Sequence, residues 1–207
     1  MCLTQDGLPF PHTEQARRLC AAGARWIQLR MKQAARELWT ATAREVAAIC
    51  RAHGAVCIVN DDVEIALAAG AHGVHLGTHD GGWREARRRL GPDLILGGTV
   101  NDAADADRAV ASGVLDYAGV GPWRFTANKA ELAPVLGADG TRGILARLGG
   151  LPAWIIGGIG AADLPAVRAA GAAGAAVSTA LFRDGRIEEN FHALAAAWGP
   201  AAGEPRP

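Results

Sequence analysis

A chain of 207 residues, half of them apolar, can bury a sizeable core, and an α/β barrel can run as a single unit at this length. Twenty-one basic residues cancel twenty-one acidic ones, so net charge gives no long-range attraction to nucleic acid or an anionic membrane, and any anion site must be local. No apolar run reaches the roughly 18 residues of a membrane span, and the amino end has no basic region followed by an apolar block, so the expected compartment is the cytoplasm.

CLTQ, near residues 2 to 5, is the first candidate strand, and a repeated phrase supplies the others. AAGARWIQLR, RAHGAVCIVN, AAGAHGVHLG, LGPDLILGG, ASGVLDYAGVG, GGLPAWIIGG and AAGAAGAAVST each carry a glycine that can close a helix, followed by an apolar run suited to a strand buried on both faces. They predict strands near 25 to 30, 56 to 60, 73 to 76, 94 to 98, 115 to 119, 153 to 157 and 174 to 178. The segments between them have helical apolar spacing, clearest in ARELWTATAREVAAICRAHG, where Leu38, Ala41, Val46 and Ile49 are expected near one face. Eight strands alternating with helices predict one α/β domain, a (β/α)8 TIM barrel over residues 1–198. A doubly wound open sheet also alternates, but would usually carry a Gly-rich dinucleotide turn after its first strand, and CLTQ has none. GPAAGEPRP is rich in Gly and Pro without periodicity, so 199–207 reads as a disordered tail. Cys2, Cys20, Cys50 and Cys57 lack CxxC spacing and read as reduced thiols packed in the core.

In such a barrel the chemistry sits at the carboxyl ends of the strands. The second strand ends in Gln28, Arg30 and Lys32, alternating with Leu29 and Met31, so the polar side chains point one way. Two neighbouring cations suit an anion, or simply a solvated strand end. The third strand ends in Asn60, Asp61 and Asp62, and Asp80 follows the fourth, nineteen positions after Asp61. Paired carboxylates on adjacent strand ends suit Mg²⁺, which takes one or two carboxylates with water and substrate phosphate. His79 beside Asp80 hints at zinc, but no Cys or His set has structural-zinc spacing. One of the two successive acids is expected to cap the helix VEIALAAG; Asp62 is assigned to the cap and Asp61 to the metal. His75, within a strand, reads as a packed, hydrogen-bonded residue. Thr99 and Asn101 follow the fifth strand. The loop GPWRFTANKAELAPVLG, 121 to 137, brings Thr126, Asn128 and Lys129, whose hydroxyl, amide and ammonium suit phosphate oxygens. Gly157 and Gly158 would let a ligand approach the backbone, and Ser178 and Thr179 add hydroxyls where barrels often bind phosphate.

QLRMK, the Asp of ND followed at nineteen residues by that of HLGTHD, DYAGVGPWRFTANK, IIGGI and AAGAAGAAVSTAL resemble, in order and spacing, the motifs of the thiamin phosphate synthase family over roughly residues 2 to 195. The resemblance implies a (β/α)8 transferase with two small phosphorylated substrates and Mg²⁺, and a homodimer by analogy alone. The substrates would be 4-amino-2-methyl-5-(diphosphooxymethyl)pyrimidine and 4-methyl-5-(2-phosphooxyethyl)thiazole. By position, Gln28, Leu29, Arg30, Met31, Lys32, Asn60, Thr99 and Lys129 would hold the pyrimidine diphosphate, with Arg30, Lys32 and Lys129 acting on the departing diphosphate. Asp61 and Asp80 would hold the metal. Thr126, Ala127, Asn128, Gly158, Ser178 and Thr179 would hold the thiazole phosphate. Thr99 and Thr179 stand where the family commonly has Ser, Asn101 where His is frequent and Asn128 where Thr is usual. Two alternatives share the barrel: a thiazole tautomerase and a non-catalytic thiazole-phosphate-binding protein. The retained acid pair and cations disfavour the tautomerase.

Overall fold

The computed structural model describes residues 1–32, 34–78, 80, 82–125 and 133–199. In chain order they form β1 (Cys2–Leu3), α1 (His12–Ala21), β2 (Trp26–Leu29), α2 (Arg36–Ala52), β3 (Val56–Asn60), α3 (Val63–Ala69), β4 (Gly73–Leu76) and α4 (Trp83–Leu90). The second half comprises β5 (Ile95–Val100), α5 (Ala103–Ser112), β6 (Tyr117–Val120), α6 (Gly137–Arg147), β7 (Ala153–Ile156), α7 (Leu164–Ala169), β8 (Gly174–Ala176) and α8 (Ile187–Trp198). The strands make one 8-stranded sheet in sequence order, and a parallel bridge from Cys2 to Val177 joins its last edge to its first. This is the predicted TIM barrel. The tail residues 200–207 lie outside the described residues.

The two-residue period sorts the strands into two faces. Ile27, Leu29, Cys57, Val59, Val74 and Leu76 point outward into an apolar core shared with Leu19, Val46, Ile65 and other helix residues. The alternate set faces the barrel axis. There Trp26 packs on Tyr117 and Trp154, with ring centroids 5.9 and 5.1 Å away. Glycines opposite these rings leave the room that the aromatics fill: a Cβ on Gly97 would lie 2.1 Å from the Tyr117 ring, and one on Gly174 would lie 2.2 Å from Trp154.

Helix α2 corrects one expectation. Its buried residues are Ala43, Val46, Ala47 and Cys50, whereas Leu38 is 59% exposed. Of the four residues expected on one face, only Val46 is fully buried, because small side chains at i, i+3, i+4 and i+7 let α2 approach its neighbours closely, while Ile49 packs only partly against the core and Leu38 faces outward. All four cysteines are free and buried, as expected. Strand β1 is shorter than CLTQ suggested. Among the described residues no helix is long and apolar enough to cross a membrane.

The interior layer can be tested by substitution. Gly97→Ala should cost about 1–3 kcal/mol or more, since the Tyr117 ring is hemmed in by Trp26 and His75. Gly143→Ala, inside α6 with open space around its would-be Cβ, should gain roughly 0.5–1 kcal/mol. Urea unfolding of both variants checks the pair.

Candidate active site

The described polar residues at the carboxyl end of the barrel come from β2 to β5 and from β8. Gln28 is buried within the barrel and bonds to the Tyr117 hydroxyl; burial pushes the Tyr117 phenol up in pKa against that bond, so it remains a neutral donor. His75 spans from Tyr117 Oη to Thr99 Oγ1, 3.0 Å on each side, and stacks on the Tyr117 ring. It is the packed strand residue that the sequence indicated, and it fixes the Thr99 hydroxyl. Asn60 is also buried, 6% exposed, at the end of β3. Leu29 and Met31 pack in the outer apolar core, so they can offer a ligand at the mouth only backbone atoms.

Of the two successive acids, Asp62 caps α3 as expected. Asp62 Oδ1 accepts from the amide of Ile65 at 2.8 Å, capping α3, and its Oδ2 accepts from Arg36 at 2.6 Å. Asp61 is different. Its φ of 72° lies in the left-handed region that non-glycine residues rarely occupy, and its amide donates to the His75 carbonyl at 2.8 Å. This conformation brings its carboxyl within hydrogen-bonding reach of the Asp80 carboxyl, while Lys32 Nζ bonds to its Oδ2. Asp80 is itself held by the Gly77 amide, 2.7 Å from its Oδ2. Burial first, and then the neighbouring Asp80, push the Asp61 carboxyl up to about 6 against the opposing pull of Lys32. Two acids from adjacent strands thus share one small space.

Around the rest of the rim, Asn101 is turned to the end of the neighbouring strand, its Nδ2 donating to the Gly121 carbonyl at 2.6 Å. Ser178 Oγ donates to Gln5 Oε1 at 3.3 Å, and Thr179 starts a short 3-10 turn. Thr126, Ala127, Asn128 and Lys129 lie outside the described residues, as does His79. Gly157 and Gly158, at φ 102° and 65°, are approached closely by the chain itself. A Cβ on Gly157 would meet Pro122 Cα at 2.7 Å, and one on Gly158 would meet the Phe125 carbonyl oxygen at 2.7 Å. Both glycines therefore make room for the loop that follows β6.

The sequence reading missed the clasp that holds that loop. Asp163 accepts from Arg124 Nε at 2.7 Å, from Trp123 Nε1 at 3.3 Å and from the Gly160 amide at 3.0 Å. Burial pushes its carboxyl up, but Arg124, the Gly160 amide and Trp123 together hold it below the usual carboxylate range. The available signal was an acid placed just after a strand-end glycine run.

A family model described as thiamine monophosphate synthase matches residues 2–181. The chain belongs to the thiamine monophosphate synthase family. A thiamine-phosphate synthase from Bacteroides fragilis is 42% identical over 185 residues, covering 87% of this chain and 90% of that protein. One from Myxococcus xanthus is 42% identical over 185 residues, covering 89% and 84%. The solved thiamine phosphate pyrophosphorylase from Pyrococcus furiosus superposes with a TM-score of 0.86 at 29% identity, covering 95% of this chain and 93% of that one. The match to the thiamine monophosphate synthase family runs from β1 to the turn that follows β8.

The raised Asp61 carboxyl carries a signed prediction. In chelator, the folded state retains a proton between the ordinary aspartate value of 3.8 and about 6 that the unfolded chain has released. Stability should therefore fall as pH rises through that window. Asp61→Asn keeps a residue tolerant of left-handed backbone but does not titrate, so its thermal midpoint should fall less between about pH 4 and 7 than the wild-type midpoint does.

Proposed function

We propose that this chain joins 4-amino-2-methyl-5-(diphosphooxymethyl)pyrimidine to 4-methyl-5-(2-phosphooxyethyl)thiazole, giving thiamin phosphate and diphosphate. One observation carries the reading: in a chain matched to the synthase family over residues 2–181, the Asp61 and Asp80 carboxyls and the Lys32 ammonium converge at adjacent strand ends.

The donor set fits Mg²⁺. Asp61 and Asp80 offer oxygen alone, and no group of three or more His, Cys, Asp or Glu that could hold a metal occurs among the described residues. Water and substrate phosphate would complete such a shell, the arrangement Mg²⁺ favours. When bound by the two carboxylates, Mg²⁺ supplies positive charge that offsets the charge growing on the departing diphosphate. Arg30, Lys32 and Lys129 bind the same diphosphate oxygens and stabilise them as the bond from the methylene carbon to oxygen breaks. Gln28, Asn60 and Thr99 orient the pyrimidine, with Thr99 held by His75. Thr126, Ala127, Asn128, Ser178, Thr179 and the backbone of Gly158 hold the thiazole phosphate, so that the ring nitrogen faces the methylene carbon and forms the new carbon–nitrogen bond. The aminopyrimidine ring stabilises the cationic carbon in between, and no protein nucleophile is required. The chain's contribution is then positioning of two partners and a preorganised field for the leaving anion.

Incubation of the protein with both substrates and Mg²⁺ should yield thiamin phosphate and one equivalent of diphosphate, and chelator should stop it. Asp61→Asn and Asp80→Asn should each lower turnover by about 10²-fold or more with the circular dichroism spectrum retained. Product formation that persists in chelator, or full activity in either variant, would remove the metal assignment. A folded wild type without product would remove the synthase reading.

A further inference from the structure

Strand β1 is only two residues long, yet its edge of β2 stays ordered well beyond it. Thr4 N donates to the Gln28 carbonyl at 3.0 Å, the last backbone bond of that ladder. Two side chains then replace the missing strand. The amide of Arg30 donates to Thr4 Oγ1 at 3.1 Å, and the amide of Lys32 donates to Asp6 Oδ2 at 2.9 Å. One imidazole contacts both of these acceptors. His12, the first residue of α1 and 8% exposed, places Nδ1 at 2.7 Å from Thr4 Oγ1 and Nε2 at 3.0 Å from Asp6 Oδ1.

For a neutral imidazole beside a carboxylate, the donors and acceptors close in one pattern. An ionised Asp6 can only accept, which assigns the proton of a neutral imidazole to Nε2. Nδ1 then accepts from the Thr4 hydroxyl, and the Thr4 oxygen keeps a lone pair for the Arg30 amide. Removing the imidazole frees both the Thr4 rotor and the Asp6 carboxylate, and with them the two amides that set the direction of residues 30 and 32.

We infer that His12 is a positioning residue for diphosphate: through Thr4 and Asp6 it fixes the β2 extension from which Arg30 and Lys32 present their cations. The inference rests on the assignment of those cations to diphosphate under the proposed function. It is specific because the side-chain bonds that start at His12 end on the backbone amides of Arg30 and Lys32, whereas Gln5, which accepts from Ser178 on the β8 side, has its backbone held separately by Gln15.

Calorimetric titration of the full chain with inorganic diphosphate in Mg²⁺, and separately with 4-methyl-5-(2-phosphooxyethyl)thiazole, tests it. His12→Ala and Thr4→Val should each weaken diphosphate binding about tenfold, a displacement effect on two amide anchors, and leave the thiazole phosphate affinity unchanged. The double variant should weaken it little beyond either single one, since both remove the same link. Thr4→Val conserves shape and decides the matter if His12→Ala does not fold. Unchanged diphosphate affinity in a folded variant, equal loss for both ligands, or fully additive losses would each overturn the inference. A wild type that binds diphosphate but makes no thiamin phosphate would overturn the proposed function alone, and the ratio of diphosphate affinities would still decide the role of His12. A wild type that binds no diphosphate would overturn both.

Discussion

Repulsion between two carboxylates is the constraint around which the mouth of this barrel is arranged. Left alone, Asp61 and Asp80 would turn apart into water. Asp61 is held by a left-handed backbone whose amide bonds to the His75 carbonyl, and Asp80 by the amide of Gly77. A strained conformation of this kind persists only where its surroundings over-determine it, and here they do so at adjacent strand ends. Lys32 compensates part of the charge from the neighbouring strand. Cation and acid pair are thus one electrostatic unit spread over β2, β3 and β4, which explains why a protein of zero formal net charge can still offer a strongly polar site.

The interior beneath the mouth supplies the rigidity that this unit needs. Trp26, Tyr117 and Trp154 fill the axis where the sequence has glycine on facing strands, and above them His75, Tyr117 and Thr99 are joined by hydrogen bonds. The same imidazole that packs in this layer belongs to the residue whose carbonyl receives the Asp61 amide. Packing and polar chemistry therefore meet in His75, and movement of the aromatic layer would be felt directly by the acid pair.

Much of this could be read from residue order. The recurring glycine followed by an apolar run marks helix ends and strands because both are local requirements: Gly70, at φ 61°, closes α3 in a conformation that costs other residues about 1 kcal/mol or more. The cap at Asp62 was legible too, since a cap three residues before a helix amide is a short-range relation. What the sequence could not display depends on contacts across the barrel. The turn at Asp61 looks like any polar strand end until the His75 carbonyl is placed beside it. The inner face of α2 was misjudged because large apolar residues attract attention, whereas Ala43, Ala47 and Cys50 pack by being small. Asp163 gave little warning, because its partners Trp123 and Arg124 are about forty positions away.

The glycine pair at the end of β7 has an evolutionary corollary. Because the bend after β6 occupies the space that a methyl group would need at 157 or 158, a change in either stretch constrains the other despite their separation in sequence. A new loop imported from a relative whose seventh stave carries alanine there would arrive without its berth. Chimeras among such barrels should therefore exchange staves six and seven together, with the acid at 163 as the buckle that travels with them.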